Sequence, residues 1–114
     1  MNVYIAGPMR GIRDFNFHQF HAAATALRQL GHTVFNPAER DEQEYGADVS
    51  KSATGDISDA EARGFSLRRA LAADTAWICL MADAIALLPG WMDSKGAKAE
   101  LALAQALGLE VIVL

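Results

Sequence analysis

The chain has 114 residues, 52% of them hydrophobic, and carries 10 basic against 14 acidic side chains for a net charge of −4. That length holds one domain, residues 1–114, with no room for a second. The apolar content excludes a disordered chain, and an acidic balance without a basic stripe excludes a nucleic-acid polymer as partner.

In chain order, Asn2-Val3-Tyr4-Ile5-Ala6 is a short β-prone run. No basic region precedes an apolar one there, so it does not read as a secretory leader, and a cytoplasmic location is expected. Gly7-Pro8-Met9-Arg10-Gly11 follows as a punctuated loop. From Asn16 onward, Phe17, Phe20, Ala24, Leu27 and Leu30 recur at helical spacing until Gly31 ends the helix. His18 and His21 share that helix with no third metal ligand positioned, and they read as surface or packing residues. Thr33-Val34-Phe35 is a second strand, stopped by Asn36-Pro37. Strand, glycine loop, helix and strand together make a βαβ unit.

Residues from Glu39 to Gly64 include few large apolar side chains, and Asp, Glu, Ser and Gly dominate. This stretch, about 40–64, reads as a long mobile polar loop, either a lid over a site or a surface insertion. Phe65 to about Ala82 is helical, with Leu67, Leu71, Trp77, Ile78 and Met81 as its apolar positions. Cys79, the single cysteine, allows no internal disulfide and reads as core. Ala84 to Leu88 is a continuous apolar run, the pattern of a parallel strand buried on both faces, and Pro89-Gly90 closes it. Asp93-Ser94 opens a helix to about Leu107, and Glu110 to Leu114 is a last strand. Strands alternating with three helices predict an α/β fold on a parallel sheet of about four strands. No apolar run approaches the roughly 18 residues a membrane-spanning helix needs. Twenty-two residues are alanine. Their short side chains pack helices closely but bury little area each, so a homo-oligomer, a dimer or larger, is expected.

In an open parallel sheet, ligands bind beyond the carboxyl ends of the strands. The loops there are residues 6–14, the segment after Phe35, and residues 89–96. Two of them carry glycines near helix starts, where free backbone N–H groups hold anions. Arg10 adds a guanidinium fork suited to phosphate, and Ser94 a hydroxyl beside Gly96. The competing reading is that Gly7 and Gly11 only shape a turn and Ser94 only caps a helix. Neither nucleotide-binding glycine fingerprint is present.

Glu100 falls on the apolar stripe of the last helix, with Ala97, Leu103, Ala104 and Leu107. A carboxylate aimed at a sheet is costly unless paired or used. The positive end of the helix is expected to keep it ionised, which favours a nucleophile over a general acid; otherwise it sits at the stripe's edge and reaches water. Asp74 lies near the apolar face of its helix, three residues from both Leu71 and Trp77, while Asp83 marks a helix-to-strand junction. Tyr4 lies on the opposite strand face from Val3 and Ile5, either as a core aromatic or with its hydroxyl orienting a carboxylate. Trp91, beside a glycine loop, either shields a pocket or edges the core.

Tyr4-Ile5-Ala6-Gly7-Pro8-Met9-Arg10-Gly11, Phe17 with Phe20, Gly31-His32, Asn36-Pro37-Ala38-Glu39, and Asp83 through Trp91 to Ser94-x-Gly96-Ala97-x-x-Glu100 together resemble the nucleoside 2-deoxyribosyltransferase-like superfamily. Within it they resemble a small, largely phage and prophage branch known as a domain of unknown function (DUF4406). The resemblance covers nearly the whole chain. It implies a flavodoxin-like (Rossmann-like) three-layer sandwich, oligomers, and cleavage of the N-glycosidic bond of 2′-deoxynucleosides or their 5′-monophosphates, with no cofactor or metal. The attacking glutamate corresponds to Glu100, the tyrosine bonded to it to Tyr4, and the aspartate assisting the leaving base to Asp74, with Asp83 as fallback. The phosphate loop corresponds to Gly7 through Gly11 with Met9 and Arg10. Ser94 matches a phosphate-binding serine six residues before the glutamate. Asp93 stands one residue from the position of an aspartate that holds the sugar in the transferases.

The related transferases carry a further strand, helix and site segment beyond the equivalent of Leu114, and the sequence is therefore expected to lack part of a transferase pocket. The leading expectation is retaining N-glycoside cleavage through Glu100, by hydrolysis or transfer. The alternative is a non-catalytic nucleotide-binding protein.

Overall fold

The computed structural model describes residues 1–114. Four strands form one parallel sheet: β1 (Asn2–Ala6), β2 (Thr33–Phe35), β3 (Ala84–Leu87) and β4 (Glu110–Val113), in the order β2-β1-β3-β4. Five helices accompany it: α1 (Phe17–Gln29), α2 (Pro37–Tyr45), α3 (Ile57–Glu61), α4 (Leu67–Leu80) and α5 (Lys95–Ala106). Strand alternation divides the core in two. Val3, Ile5, Ala84 and Ala86 face Phe17, Phe20, Ala24 and Leu27 of α1. On the other face, Tyr4, Ala6, Ile85 and Leu87 meet Ile78 of α4 and Ala97 and Ala104 of α5. Helices thus cover both faces, and the chain is a flavodoxin-like α/β sandwich of three layers, as the alternation predicts. The buried alanines do what their size allows. At Ala84, Ala86, Ala97 and Ala104, exposed by 1% or less, there is only a methyl group between helix and sheet.

From β1 the chain crosses to β2 on one side, and β3 pairs with β1 on the other. The carboxyl ends of β1 and β3 therefore flank the switch point, where a crevice opens. The loops leaving these strands touch there. A Cβ on Gly7 would come within 2.7 Å of Leu88 Cβ, so packing alone requires this glycine. At the opposite end of the sheet Asp83 fastens β3 to β1. Its Oδ2 accepts the Asn2 amide at 2.8 Å, and its own amide donates to the Asn2 carbonyl at 2.7 Å.

The expected mobile loop from Glu39 to Gly64 is instead folded, and three expected helices become five. The Asn36 side chain accepts the Ala38 amide at 2.9 Å, Pro37 takes the first helical position, and Glu39 lies in the first turn. These are the signals of a helix start. Arg28 holds α2 to α1 through both Glu39 carboxylate oxygens, at 2.7 and 2.9 Å, and His21 Nε2 meets Glu42 Oε1 at 2.9 Å. Beyond α2, Val49 and Ala60 are buried in the α1-side core.

Ser52 organises what lies between. Its hydroxyl donates to Asp59 Oδ2 at 2.6 Å and accepts the amides of Gly55 and Asp56 at 3.0 and 3.2 Å. Its backbone grips Asp14 twice: the Ser52 carbonyl accepts the Asp14 amide at 2.8 Å, and the Ser52 amide donates to Asp14 Oδ1 at 3.2 Å. That grip matters because Asp14, Phe15 and Asn16 all have left-handed backbone, with φ of 53°, 52° and 64°. Each such non-glycine residue costs about 1–2 kcal/mol unless its surroundings hold it. The polar stretch is therefore a clamp on the β1–α1 loop. Cys79, expected in the core, is exposed; α4 buries Ala70, Asp74 and Ile78, and Cys79 follows Ile78 by one residue, a turn of about 100° away from the sheet.

Candidate active site

A cleft of about 930 Å³ opens at the switch point, between the β1 and β3 loops, α2, α4 and the start of α5. Tyr4 stands at its floor. β1 directs this side chain toward α4 and α5, opposite to Val3 and Ile5, and leaves it 1% exposed. Its ring stacks on Phe35 at 5.5 Å, and Phe35 packs on Trp77 at 5.1 Å. So fixed, the hydroxyl donates to Glu100 Oε2 at 2.5 Å. Glu100 is 7% exposed on the sheet-facing stripe of α5, so it does not reach water at the edge of the stripe.

Three buried carboxyls share this cleft. Asp74 comes from α4 and Asp41 from α2, at 7% and 4% exposure. Asp74 Oδ1 and Asp41 Oδ1 have no hydrogen-bond partner. Burial pushes Glu100 up to about 8, against the Tyr4 hydrogen bond and with the help of Asp74 and Asp41. Burial likewise raises Asp41 to about 7, with the Asp74 charge adding to it. Asp74 rises only to about 6, because the Tyr4 hydroxyl and Arg40 oppose its burial. Tyr4 is pushed well above its ordinary range by burial, then by the Glu100 and Asp74 charges.

These values correct one expectation. The helix terminus does not keep Glu100 ionised. Counting from Lys95, Glu100 is the sixth residue of α5, beyond the first turn where the dipole is felt, and desolvation dominates.

The rim has the opposite character. Ser94 caps α5 by accepting the Ala97 amide at 3.2 Å, and the first-turn amides beside it have no intrahelical acceptor. Gly96, Asp93, Met9 and the exposed Arg10 line the same cleft, as does Gly7. Asn16, 2% exposed, donates from Nδ2 to the Pro8 carbonyl at 3.0 Å and so shapes the loop that carries Arg10.

Tyr4, Gly7, Met9, Arg10, Asp74, Asp93, Ser94, Gly96 and Glu100 thus converge on one cleft. Three expected residues do not. Asp83 sits at the amino end of β3, across the sheet's length from the cleft, bonded to Asn2. Trp91 is half-buried against the core face that contains Tyr4 and Ile85. Gly11, with φ of 79°, donates its amide to the Gly55 carbonyl at 3.0 Å and belongs to the clamp. Asp41 was hidden by the polar composition of its segment. Its signal was the Asn36-Pro37-x-Glu39 helix start, which puts Asp41 four residues from Pro37 and three from Ala38, both buried.

No group of three or more His, Cys, Asp or Glu side chains is arranged to hold a metal ion. No helix is long and apolar enough to cross a membrane. No curated protein and no solved structure matches the chain. One family model does, over residues 1–113, and with that coverage the chain belongs to the DUF4406 family, a domain of unknown function.

Proposed function

We propose that the cleft splits the N-glycosidic bond of a 2′-deoxynucleoside 5′-monophosphate, or of the free deoxynucleoside, through a covalent intermediate on Glu100. The observation that carries this reading is the 2.5 Å Tyr4–Glu100 hydrogen bond at the floor of a cleft that Asp74 also enters. The resemblance of these three positions to the deoxyribosyltransferase-like pattern supports it.

In the first step the Glu100 carboxylate attacks C1′ while the bond to the base breaks through an oxocarbenium-like state. The electron pair leaves with the base nitrogen, which takes the proton held by Asp74. Tyr4 keeps the attacking carboxylate in line. In the second step Asp74, now ionised, accepts a proton from water. That water attacks C1′, releasing the sugar and restoring Glu100; a second base in place of water gives transfer. Attack needs Glu100 ionised while Asp74 still holds its proton, and burial raises the two to about 8 and about 6, so the rate rises up to about pH 6, is level between the two values and falls above about pH 8. Arg10 and the α5 terminus suit a 5′-phosphate at the rim. Whether the acceptor is water or a base follows from what enters the second step.

A chromatographic screen of the deoxynucleosides and their monophosphates for free base tests the reading. Release of base by the wild type, reduced at least about a hundredfold in Glu100→Ala, is the expected result. A second reading, a nucleotide-binding protein without turnover, is favoured by the protonated state burial imposes on Glu100 near neutral pH. Saturable nucleotide binding with no base released over long incubation is its signature.

A further inference from the structure

The buried floor of the cleft is rich in acceptors and poor in donors. Asp41 Oδ1 and Asp74 Oδ1 are both buried and unpartnered. The Tyr4 hydroxyl is committed to Glu100, and the Asn16 amide to the Pro8 carbonyl. The remaining side-chain donors along the cleft lie at its rim: Arg10, Gln19 and Lys95 are exposed, and the half-buried Ser94 hydroxyl caps α5. Arg40 Nη1 is also buried without a partner, and its charge acts on both Asp41 and Asp74, but Arg40 lines a separate hollow with Arg28 and Glu39 and not this cleft. A ligand reaching this floor meets carboxyl oxygens that need hydrogen bonds and few groups that give them.

We propose that Asp41 selects for a base carrying an exocyclic amine, by accepting a hydrogen bond from that amine. The inference rests on the reading of the cleft as a deoxynucleoside or deoxynucleotide site. Under that reading Glu100 fixes the position of C1′ and Asp74 that of the leaving base. Asp41 lines the same cleft as Asp74, each with a buried unpartnered oxygen, and it enters from α2, not from the rim at the start of α5. It therefore borders the base. An amine donates to the Asp41 oxygen and satisfies it. Once Asp41 is ionised, a carbonyl at the same place sets lone pair against lone pair and leaves two buried acceptors unpaired, the arrangement that discriminates most strongly between otherwise matching ligands.

Two nucleotide pairs differ at this place by the exchange of an amine for a carbonyl: dCMP with dUMP, and dAMP with dIMP. Titration calorimetry at about pH 8.5, where Asp41, raised to about 7, is ionised, uses Glu100→Gln, which keeps the side-chain shape but cannot attack, and measures binding of all four without turnover. The amine member of each pair is expected to bind at least about tenfold more tightly. Adding Asp41→Asn, whose amide can donate to a carbonyl, should bring both ratios to within about twofold. Thermal melting of the double variant checks that it is folded, and the comparison within Glu100→Gln alone stands if it is not. Equal binding within each pair overturns the inference, as does a preference that survives Asp41→Asn. Base release by the wild type is scored separately. Discrimination without release keeps the role of Asp41 and removes the cleavage reaction, whereas release without discrimination does the reverse. Failure of all four nucleotides to bind overturns both.

Discussion

Tyr4 and Glu100 stand 96 positions apart, yet the hydroxyl of one donates to the carboxyl of the other at 2.5 Å. The bond ties the central strand to the last helix at the bottom of the cleft. Tyr4 also opposes the rise of the Glu100 proton affinity, and under the proposed reaction it would set reactivity as well as position. In Tyr4→Phe both Glu100 and Asp74 lose the hydroxyl that opposes their rise while remaining buried, so both limbs of the bell-shaped pH–rate profile shift to higher pH. Turnover at pH 7 is expected to fall about 10–100-fold, with a stability change on the order of 1 kcal/mol. Initial rates between pH 5 and 9 check this; an unmoved limb contradicts it.

The three buried carboxyls also make stability fall as pH rises. Each is raised in the folded state, to about 8, 7 and 6 for Glu100, Asp41 and Asp74. Between the unfolded carboxylate range near 4 and these values, the folded chain binds more protons than the unfolded one. Its stability is therefore greatest near pH 4–5 and declines toward pH 8. The carboxylate of Glu39, held below its ordinary range by its hydrogen bonds to Arg28, acts only at lower pH and with the opposite sign. Glu100→Gln should flatten the decline and melt above the wild type at pH 8, as expected where a site is maintained at the expense of stability. Melting temperatures at pH 5 and pH 8 for both proteins provide the check.

Gly55 and Gly46 separate steric need from backbone need. Both have positive φ, 70° and 100°. A Cβ on Gly55 would land on the Ile12 backbone, whereas a Cβ on Gly46 meets nothing within 4 Å. Gly46→Ala should cost about 1–3 kcal/mol, the backbone penalty alone, because φ of 100° with ψ of 159° is a conformation that essentially only glycine adopts. Gly55→Ala must also push the clamp away from the β1–α1 loop and should cost at least about 3 kcal/mol. Urea denaturation of the two variants measures the difference.

Ser52→Ala tests whether residues 46–56 clamp the loop bearing Arg10. It removes the bond to Asp59 and orphans the amides of Gly55 and Asp56. A loss of about 1–3 kcal/mol is expected. Faster hydrogen exchange should appear at Gly11 and Asp14, whose amides bond to the carbonyls of Gly55 and Ser52. Exchange confined to residues 46–60 contradicts the clamp.

The sheet and the helices bearing Tyr4, Asp74 and Glu100 were legible because each apolar stripe or run is dictated by the face it buries. Val3, Tyr4 and Ile5 alternate, Ala84 to Leu88 run unbroken between two helical layers, and Ala97, Glu100 and Ala104 repeat at helical spacing. The 39–64 segment was not legible, because it is held by capping and hydrogen bonds and only lightly by apolar contact. Asn36, Ser52 and Asp56 do there what leucines do elsewhere, and a reading weighted toward apolar periodicity passes over them. Losing α2 concealed Asp41, and with it the second of the two charges that add to burial in holding the Glu100 proton. Asp83 misled for another reason: proximity to a strand says nothing about which end of that strand a residue occupies.

A covalent bond between Glu100 and C1′ is what the proposed reaction requires, and intact-protein mass spectrometry of acid-quenched reactions detects it. With a deoxynucleoside monophosphate under steady turnover, the wild type is expected to gain the mass of one deoxyribose 5-phosphate residue, and peptide fragmentation should place it on Glu100. Glu100→Ala should gain nothing. Base release by the wild type with no adduct on Glu100, or with undiminished release from Glu100→Ala, would show that Glu100 is not the nucleophile.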